Sequence, residues 1–519
     1  MERVARGPLT PGRAASEGLR APGELPGEAS GPRRTLVPAQ AGPPTVPAQP
    51  GPPHTAPASA PPADGRATRR DEDLRREELG RQAAEVLEGN WRGTSTVPSP
   101  ALYPHQWSWD SAFIAIGLRH LSPRRAQGEL ETLLDAQWAD GRVPHIVFSP
   151  AVPLGAYFPS PDFWRSSGAG RAAGAPEDVE TSGIVQPPVH ALAAWLVHRS
   201  DPELSRRRGF LEGVRPRLAA WHDYLTGSRD LGGEGLAAVV HPWESGMDNS
   251  PCWDEPLDRV EPAPAGSFRR ADLDCGDGAD RPTDLDYGRY VRLAAQYRDG
   301  GYRDAGREHP FAVEDPGFNA LLALSEHALA EITAELGQDP APHRSRARRL
   351  TAALVRRLWD EDAGMFLCRD VHTGRPVREM SVTGLLPLVL PGLPGDIAGT
   401  LVRTMSGPRF GLGTTTDLVP SYDLHGPAFD ACRYWRGPAW FNVNWLLERG
   451  LRQHGATVRA DALEQSLLAA AGASGFAEYV DPHTGRARGA TGFSWTAAVV
   501  VDLLARARDR DDAPVAAGV

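Results

Sequence analysis

Five short stretches set aromatic rings beside carboxylates, or in one case beside arginines, in segments too broken to be helix interiors. "HPWESGMDNSP", residues 241–251, places Glu244 and Asp248 four residues apart beside Trp243, Met247, a glycine and two prolines. "YPHQWSWDSAF" offers Tyr103, Trp107, Trp109 and Asp110, and "CRYWRGPAWFNVNW" offers Arg433, Tyr434, Trp435, Arg436 and Trp440. "GFAEYVDPHTG" carries Glu478, and "AYFPSPDFW" supplies Tyr157 and Trp164. Rings beside isolated acids suit one chemistry. The apolar C–H faces of a sugar stack on indole and phenol rings, and its hydroxyls form charge-assisted hydrogen bonds to carboxylates. Cleaving a glycosidic bond then needs two carboxyl groups on opposite sides of it. One is protonated for the leaving oxygen, and the other is ionised as base or nucleophile.

Each feature taken singly has a plainer reading. Tryptophans near helix starts more often pack a core. Asp110, just ahead of an apolar run, is placed to cap a helix. Glu244 and Asp248 fit a solvated turn, and Glu478, Arg433 and Arg436 fit ordinary ion pairs. Their co-occurrence at corresponding loop ends moves the balance towards a sugar site.

Such loops need a rigid frame, and the chain supplies one. From residue 71 about a dozen segments of helical period follow one another, from "DLRREELGRQAAEVLEGNW" to "FSWTAAVVVDLLARA". Some, such as "AFIAIGL" and "TAAVVVDLL", are apolar all round and predict burial on every side. Others, such as "RARRLTAALVRRL", carry an arginine-rich face and predict an outer layer. Strand-like runs are few: "AAVV" before His241, "PHIVF" and "MFLCR". Alternating inner and outer helices predict an all-α fold, an (α/α)6 barrel or toroid, as one domain over 71–510. Residues 1–70, rich in proline, alanine and glycine with no hydrophobic period, are expected to be a disordered tail. Residues 511–519 are expected to be a short C-terminal tail.

Composition narrows the function classes. All 56 basic residues are arginine, and the net charge of −10 is spread without a basic block, which disfavours nucleic-acid binding. No apolar run approaches the roughly 18 residues of a membrane span. "MERVARGPLTPGR" lacks the apolar core of a secretory signal, so a cytoplasmic protein is expected. The four cysteines, Cys252, Cys275, Cys368 and Cys432, form no CxxC pair, so neither a disulfide framework nor a structural zinc site is expected. No metal or phosphate-binding motif is present, so no cofactor and no metal are expected. Homo-oligomerisation stays open.

Six motifs, "YPHQWSWDSAFIAIGL", "QWADGRVPHIVF", "WESGMDNSP", "RPTDLDYGRY", "RYWRGPAWFNVNW" and "EYVDPHTG…GFSWTAA", resemble glycoside hydrolase family 63 in the same order. The similarity is to its compact bacterial branch, the glucosylglycerate and mannosylglycerate hydrolases, over roughly residues 75–505. It implies an (α/α)6 barrel and inverting hydrolysis of an α-glycoside. Asp248 matches the general acid and Glu478 the general base. Asp110, Trp107, Trp109 and Tyr103 match the sugar pocket, and Gln186 and Tyr157 further sugar contacts. Tyr434, Trp435 and Trp440 match residues closing over glycerate, and Arg281 an arginine holding its carboxylate, with Arg433 or Arg436 as alternatives. Trp243 and Met247 are placed to desolvate Asp248, and Glu244 to support the loop or a sugar hydroxyl. The substrate implied is glucosylglycerate ahead of mannosylglycerate. The alternatives are an α-glucosidase or trehalase-like hydrolase on a neutral sugar, which requires all three arginines to point away, and a non-catalytic sugar-binding barrel. Glycine-rich residues 165–180 are expected to form a mobile lid.

Overall fold

The computed structural model describes residues 65–273, 278–304 and 308–512, all within one unit, Asp64–Val519. The expected tail at 1–70 therefore lies largely outside the described residues. So do Cys275 and most of the expected C-terminal tail.

The first helix, α1 (Gly65–Gly89), begins six residues ahead of the expected boundary. Among the described residues eleven more helices of over ten residues follow: α2 (Ser108–Leu118), α3 (Pro123–Asp135), α4 (His190–Ser200), α5 (Phe210–Ser228), α6 (Asp284–Asp299), α7 (Pro316–Glu335), α8 (Ala341–Leu358), α9 (Gly395–Ser406), α10 (Phe441–Gln453), α11 (Thr457–Ala473) and α12 (Ser494–Asp512). A 3-10 helix, Val382–Val389, stands between α8 and α9.

Six elements pack side by side into a closed inner ring: α2 on α4, α4 on α7, α7 on the 3-10 helix, that helix on α10, α10 on α12, and α12 back on α2. Outside them lie α1, α3, α5, α8, α9 and α11, each against inner neighbours. This is the expected (α/α)6 toroid, with α6 in an insertion outside the twelve.

The patterning explains the two layers. Every residue of α2 is buried, because both its sides and its back meet other helices. In α8 the buried positions His343, Ala347, Leu350, Thr351, Leu354 and Leu358 recur at helical spacing while the arginines face out. The proline-broken stretch takes the tighter 3-10 form. Pro387 has no N–H to give, and a Cβ on Gly384 would meet the Phe366 carbonyl oxygen at 2.1 Å.

Short two-residue strands tie loops rather than build a layer. Strand β1 (Gln106–Trp107) pairs antiparallel with β2 (Ile146–Val147), putting Trp107 opposite Ile146. Strand β3 (Ala238–Val239) pairs with β4 (Val313–Glu314) immediately before the 241–251 loop.

Candidate active site

Two adjoining cavities open where the inner helices begin. The inner one, about 460 Å³, is walled by Trp107, Trp109, Asp110, Gln186, Glu478 and Trp495, among others. The outer one, about 710 Å³, is walled by Leu102, Phe158, Asp272, Arg281, Pro282 and Tyr287, among others. Tyr103, Tyr157, Trp243, Asp248 and Tyr434 belong to both walls and so mark the passage between them.

Local structure sets each group. Pro242–Ser245 form a single 3-10 turn, started by the His241 side chain, which accepts from the Trp243 N–H at 3.0 Å. Gly246 follows at φ +71, and a Cβ there would meet the Trp109 ring at 2.7 Å. The chain turns sharply and presses the 241–251 loop against Trp109. Beyond it, Trp253 donates its indole N–H to the Met247 carbonyl at 2.7 Å, and Tyr290 donates to the Asp248 carbonyl at 2.9 Å. The backbone of the loop is pinned while the Asp248 side chain faces the cavities.

Asp110 sits in the first turn of α2, but it is not the cap: that position is Trp107, which makes no side-chain capping bond. The Trp109 N–H instead donates to the Gln186 side-chain oxygen at 3.1 Å, joining the starts of two inner helices.

The three acids differ in what surrounds them. Asp248 is half-buried at the passage, and desolvation pushes its carboxyl up to about 7. Its own backbone N–H opposes the rise, the charge of Glu478 adds to it, and Arg281 opposes it. Asp110 is held well above the usual range by burial first and by Glu478 next. Glu478 is also raised by burial, but Arg281 pulls it back, as do three donors. Tyr103 and Tyr434 donate to one oxygen at 3.1 and 3.2 Å, and the Ala490 N–H donates to the other at 3.2 Å. Gly489, at φ +66, leaves room for that carboxylate; a Cβ there would stand 2.3 Å from Oε2. Such pairs of carboxyl groups, driven apart in protonation by their surroundings, are suited to acid–base work.

Not every residue singled out in the sequence reaches the cavities. Glu244, expected to touch a sugar hydroxyl or support its loop, is fully buried behind the wall. It accepts two bonds from Arg229 at 2.7 and 2.9 Å and the N–H groups of Val185 and Val240 at 3.2 and 2.7 Å. Its lone pairs are spent inside the protein, so the sugar-contact reading is corrected and loop support is what the geometry provides. Trp435 and Trp440 stack on each other at 3.7 Å, and Trp440 stacks on Tyr479. Both tryptophans are buried outside either wall and back up Tyr434. Arg436 is held by Asp254 at 2.8 Å, and Arg433 lies outside both walls. Trp164 is likewise buried away from the cavities.

The expected lid at 165–180 is folded in: Ser166 donates to Glu180 at 2.8 Å, and the Ala139 N–H donates to the Gly174 carbonyl at 2.8 Å. None of its residues lines either wall.

Wall residues that went unremarked as site residues in the sequence include His145, Trp495, Asp272 and Tyr287. His145, Tyr287 and Trp495 lie inside three of the motifs that carry the family resemblance. Among the described residues no group of three or more His, Cys, Asp or Glu side chains is arranged to hold a metal ion, and no helix is long and apolar enough to cross a membrane. Cys252, Cys368 and Cys432 are free thiols.

A closed (α/α)6 ring with two buried carboxyl groups in aromatic walls at the helix starts defines a glycoside hydrolase. Residues 103–496 match the mannosylglycerate hydrolase MGH1-like glycoside hydrolase domain, and the chain belongs to that family. It is 42% identical to a mannosylglycerate hydrolase of Rubrobacter radiotolerans, over 82% of this chain and 97% of that one. It is 38% identical to a glucosylglycerate hydrolase of Mycolicibacterium hassiacum, over 82% of this chain and 98% of the other. Among solved structures it resembles the family 63 mannosylglycerate hydrolase of Thermus thermophilus in complex with Tris and D-glycerate. The TM-score is 0.75 and the identity 39%, over 82% of this chain and 99% of that one.

Proposed function

We propose that the enzyme hydrolyses a hexosylglycerate, glucosylglycerate or mannosylglycerate, to hexose and glycerate with inversion at the anomeric carbon. The observation that carries this reading is Arg281. It is 7% exposed, stands in the outer wall, and forms no ion pair with a carboxylate among the described residues. Glu478 favours its charge from a distance, but no carboxylate among the described residues bonds the guanidinium directly, and the carboxylate of a glycerate aglycone supplies that partner. The trehalase-like alternative needs this arginine turned away, and it loses support from its position.

In this reading the hexose occupies the inner cavity, with Trp107 and Trp109 against its faces and Asp110 and Gln186 at its hydroxyls. Asp248, in the passage, gives its proton to the glycerate oxygen as the glycosidic C–O bond breaks. Glu478 takes a proton from water as that oxygen bonds to the anomeric carbon from the opposite face. An inverting pair requires about 6.5–9.5 Å between its carboxyl groups.

The test is hexose release from glucosylglycerate, mannosylglycerate and trehalose in parallel, with the first-formed anomer read by NMR. Release from a glycerate compound with inversion is expected. Release from trehalose alone would replace this substrate class, and retention would replace the mechanism. Relatives of both names align over the same span, so the assay also decides between the two sugars.

A further inference from the structure

Arg281 does more than line the outer wall. It donates to the Tyr103 hydroxyl at 3.2 Å, and its guanidinium lies 4.9 Å above the Tyr434 ring. These two tyrosines are the hydroxyl donors to Glu478. Arg281 also shares the outer cavity with Asp248. One buried charge therefore touches both donors to the base and faces the acid across the space where an aglycone sits.

The other groups facing Asp248 cannot take over that part. They are Glu478, Asp110, Asp272, which Arg270 holds at 2.7 Å, the hydroxyls of Tyr103, Tyr157, Tyr287, Tyr290 and Tyr434, and His145, which burial pushes down to about 3. Each is neutral or negative near pH 7, so among the described residues of the two walls Arg281 is the positive charge acting on the acid. A cation favours the ionised form of a nearby carboxyl, which is the wrong form for a proton donor. An aglycone carboxylate on the guanidinium cancels that influence, because the two opposite charges then act on the acid together.

We propose that Arg281 couples the aglycone to the acid: an anionic aglycone that neutralises the guanidinium lets Asp248 take up the proton it must donate, and a neutral aglycone does not. This rests on the hexosylglycerate reading and extends it, because the substrate's own charge then readies the catalyst. The proton comes from solvent on binding and leaves on the glycerate oxygen at cleavage. Glu478 feels the same loss of positive charge, yet it keeps its three hydrogen-bond donors, which continue to favour its ionised form.

The experiment is isothermal titration of the whole protein with D-glycerate at pH 7.5, in two buffers of different ionisation enthalpy, so that the difference in heat counts protons. A displacement of Asp248 by about one pH unit gives uptake of roughly half a proton per site. Asp248→Asn, nearly the same shape, should still bind glycerate but without that uptake. Binding by the native protein with no uptake overturns the coupling and leaves the hexosylglycerate reading intact. Uptake that persists in Asp248→Asn overturns the assignment to this acid. Failure of D-glycerate to bind removes the aglycone itself, and the inference goes with it.

Discussion

Glu244 and Asp248 are four residues apart on one loop, and their surroundings are opposite. Glu244 accepts four hydrogen bonds, two from a buried arginine, and Arg229 in turn holds Asp304 at 3.2 Å. Asp248 is only half-buried, at the cavity wall, and beyond its own backbone N–H no donor among the described residues stabilises its charge. Burial with full pairing makes a carboxylate a fastener. Desolvation without pairing makes it an acid that holds its proton near neutral pH. The loop uses one acid to fix the other.

The sharpest way to break this contrast is to remove the acid. Asp248→Asn should lower kcat by roughly 10²–10⁴-fold, measured as hexose release, with the melting temperature little changed. Glu244→Ala should do the reverse. It takes from Arg229 one of its two carboxylate partners, leaves the Val185 and Val240 N–H groups unpaired, and should cost about 3–5 kcal/mol of stability, seen as a lower urea midpoint. Loss of activity without loss of stability in that variant would put Glu244 back among the residues that contact substrate. A smaller effect is expected on the opposite wall. Gly489→Ala forces the Glu478 carboxylate to move, and up to about a hundredfold should be lost from kcat.

The mildest probe is pH. As the proposed general acid, Asp248 must be protonated to act, so kcat/KM, which reports the free enzyme, should fall as pH rises through about 7. Glu478 must be ionised, and because burial raises it, the acidic limb should lie above the ordinary glutamate range. A basic limb unmoved in Asp248→Asn would detach it from this residue.

Much of this was legible in the sequence, for identifiable reasons. The inner and outer helices differ in whether one face or all faces are apolar, and that difference is local. Asp248, Glu478, Asp110 and the pocket aromatics were found because they sit in short motifs in a fixed order. What stayed hidden depends on partners far along the chain. Nothing near Arg436 announces that Asp254, 182 residues earlier, neutralises it, while Arg281 meets no such acid. Trp435 and Trp440 look like sugar platforms until the structure shows them buried, stacked on each other, with Tyr479 stacked on Trp440. The glycines at 165–180 suggested looseness, but Glu180 and Ala139 tie that segment down. His145 was passed over because a single histidine among apolar residues carries no spacing signal.

Ring closure carries a consequence for how the molecule comes into being. The last inner helix, α12, packs on α1 and α2, and the Asn90 amide reaches the Ser494 hydroxyl at 2.9 Å across 404 residues of sequence. That helix also brings Phe493 and Trp495 to the inner wall. A chain emerging from the ribosome can stack its early helix pairs in turn, but it cannot join the two ends until nearly all of it has been made. Contacts of such span are slow to form. Until then the apolar flank of α2 has no cover, and the protein is most exposed to misassembly during that interval, when it also has no complete sugar pocket.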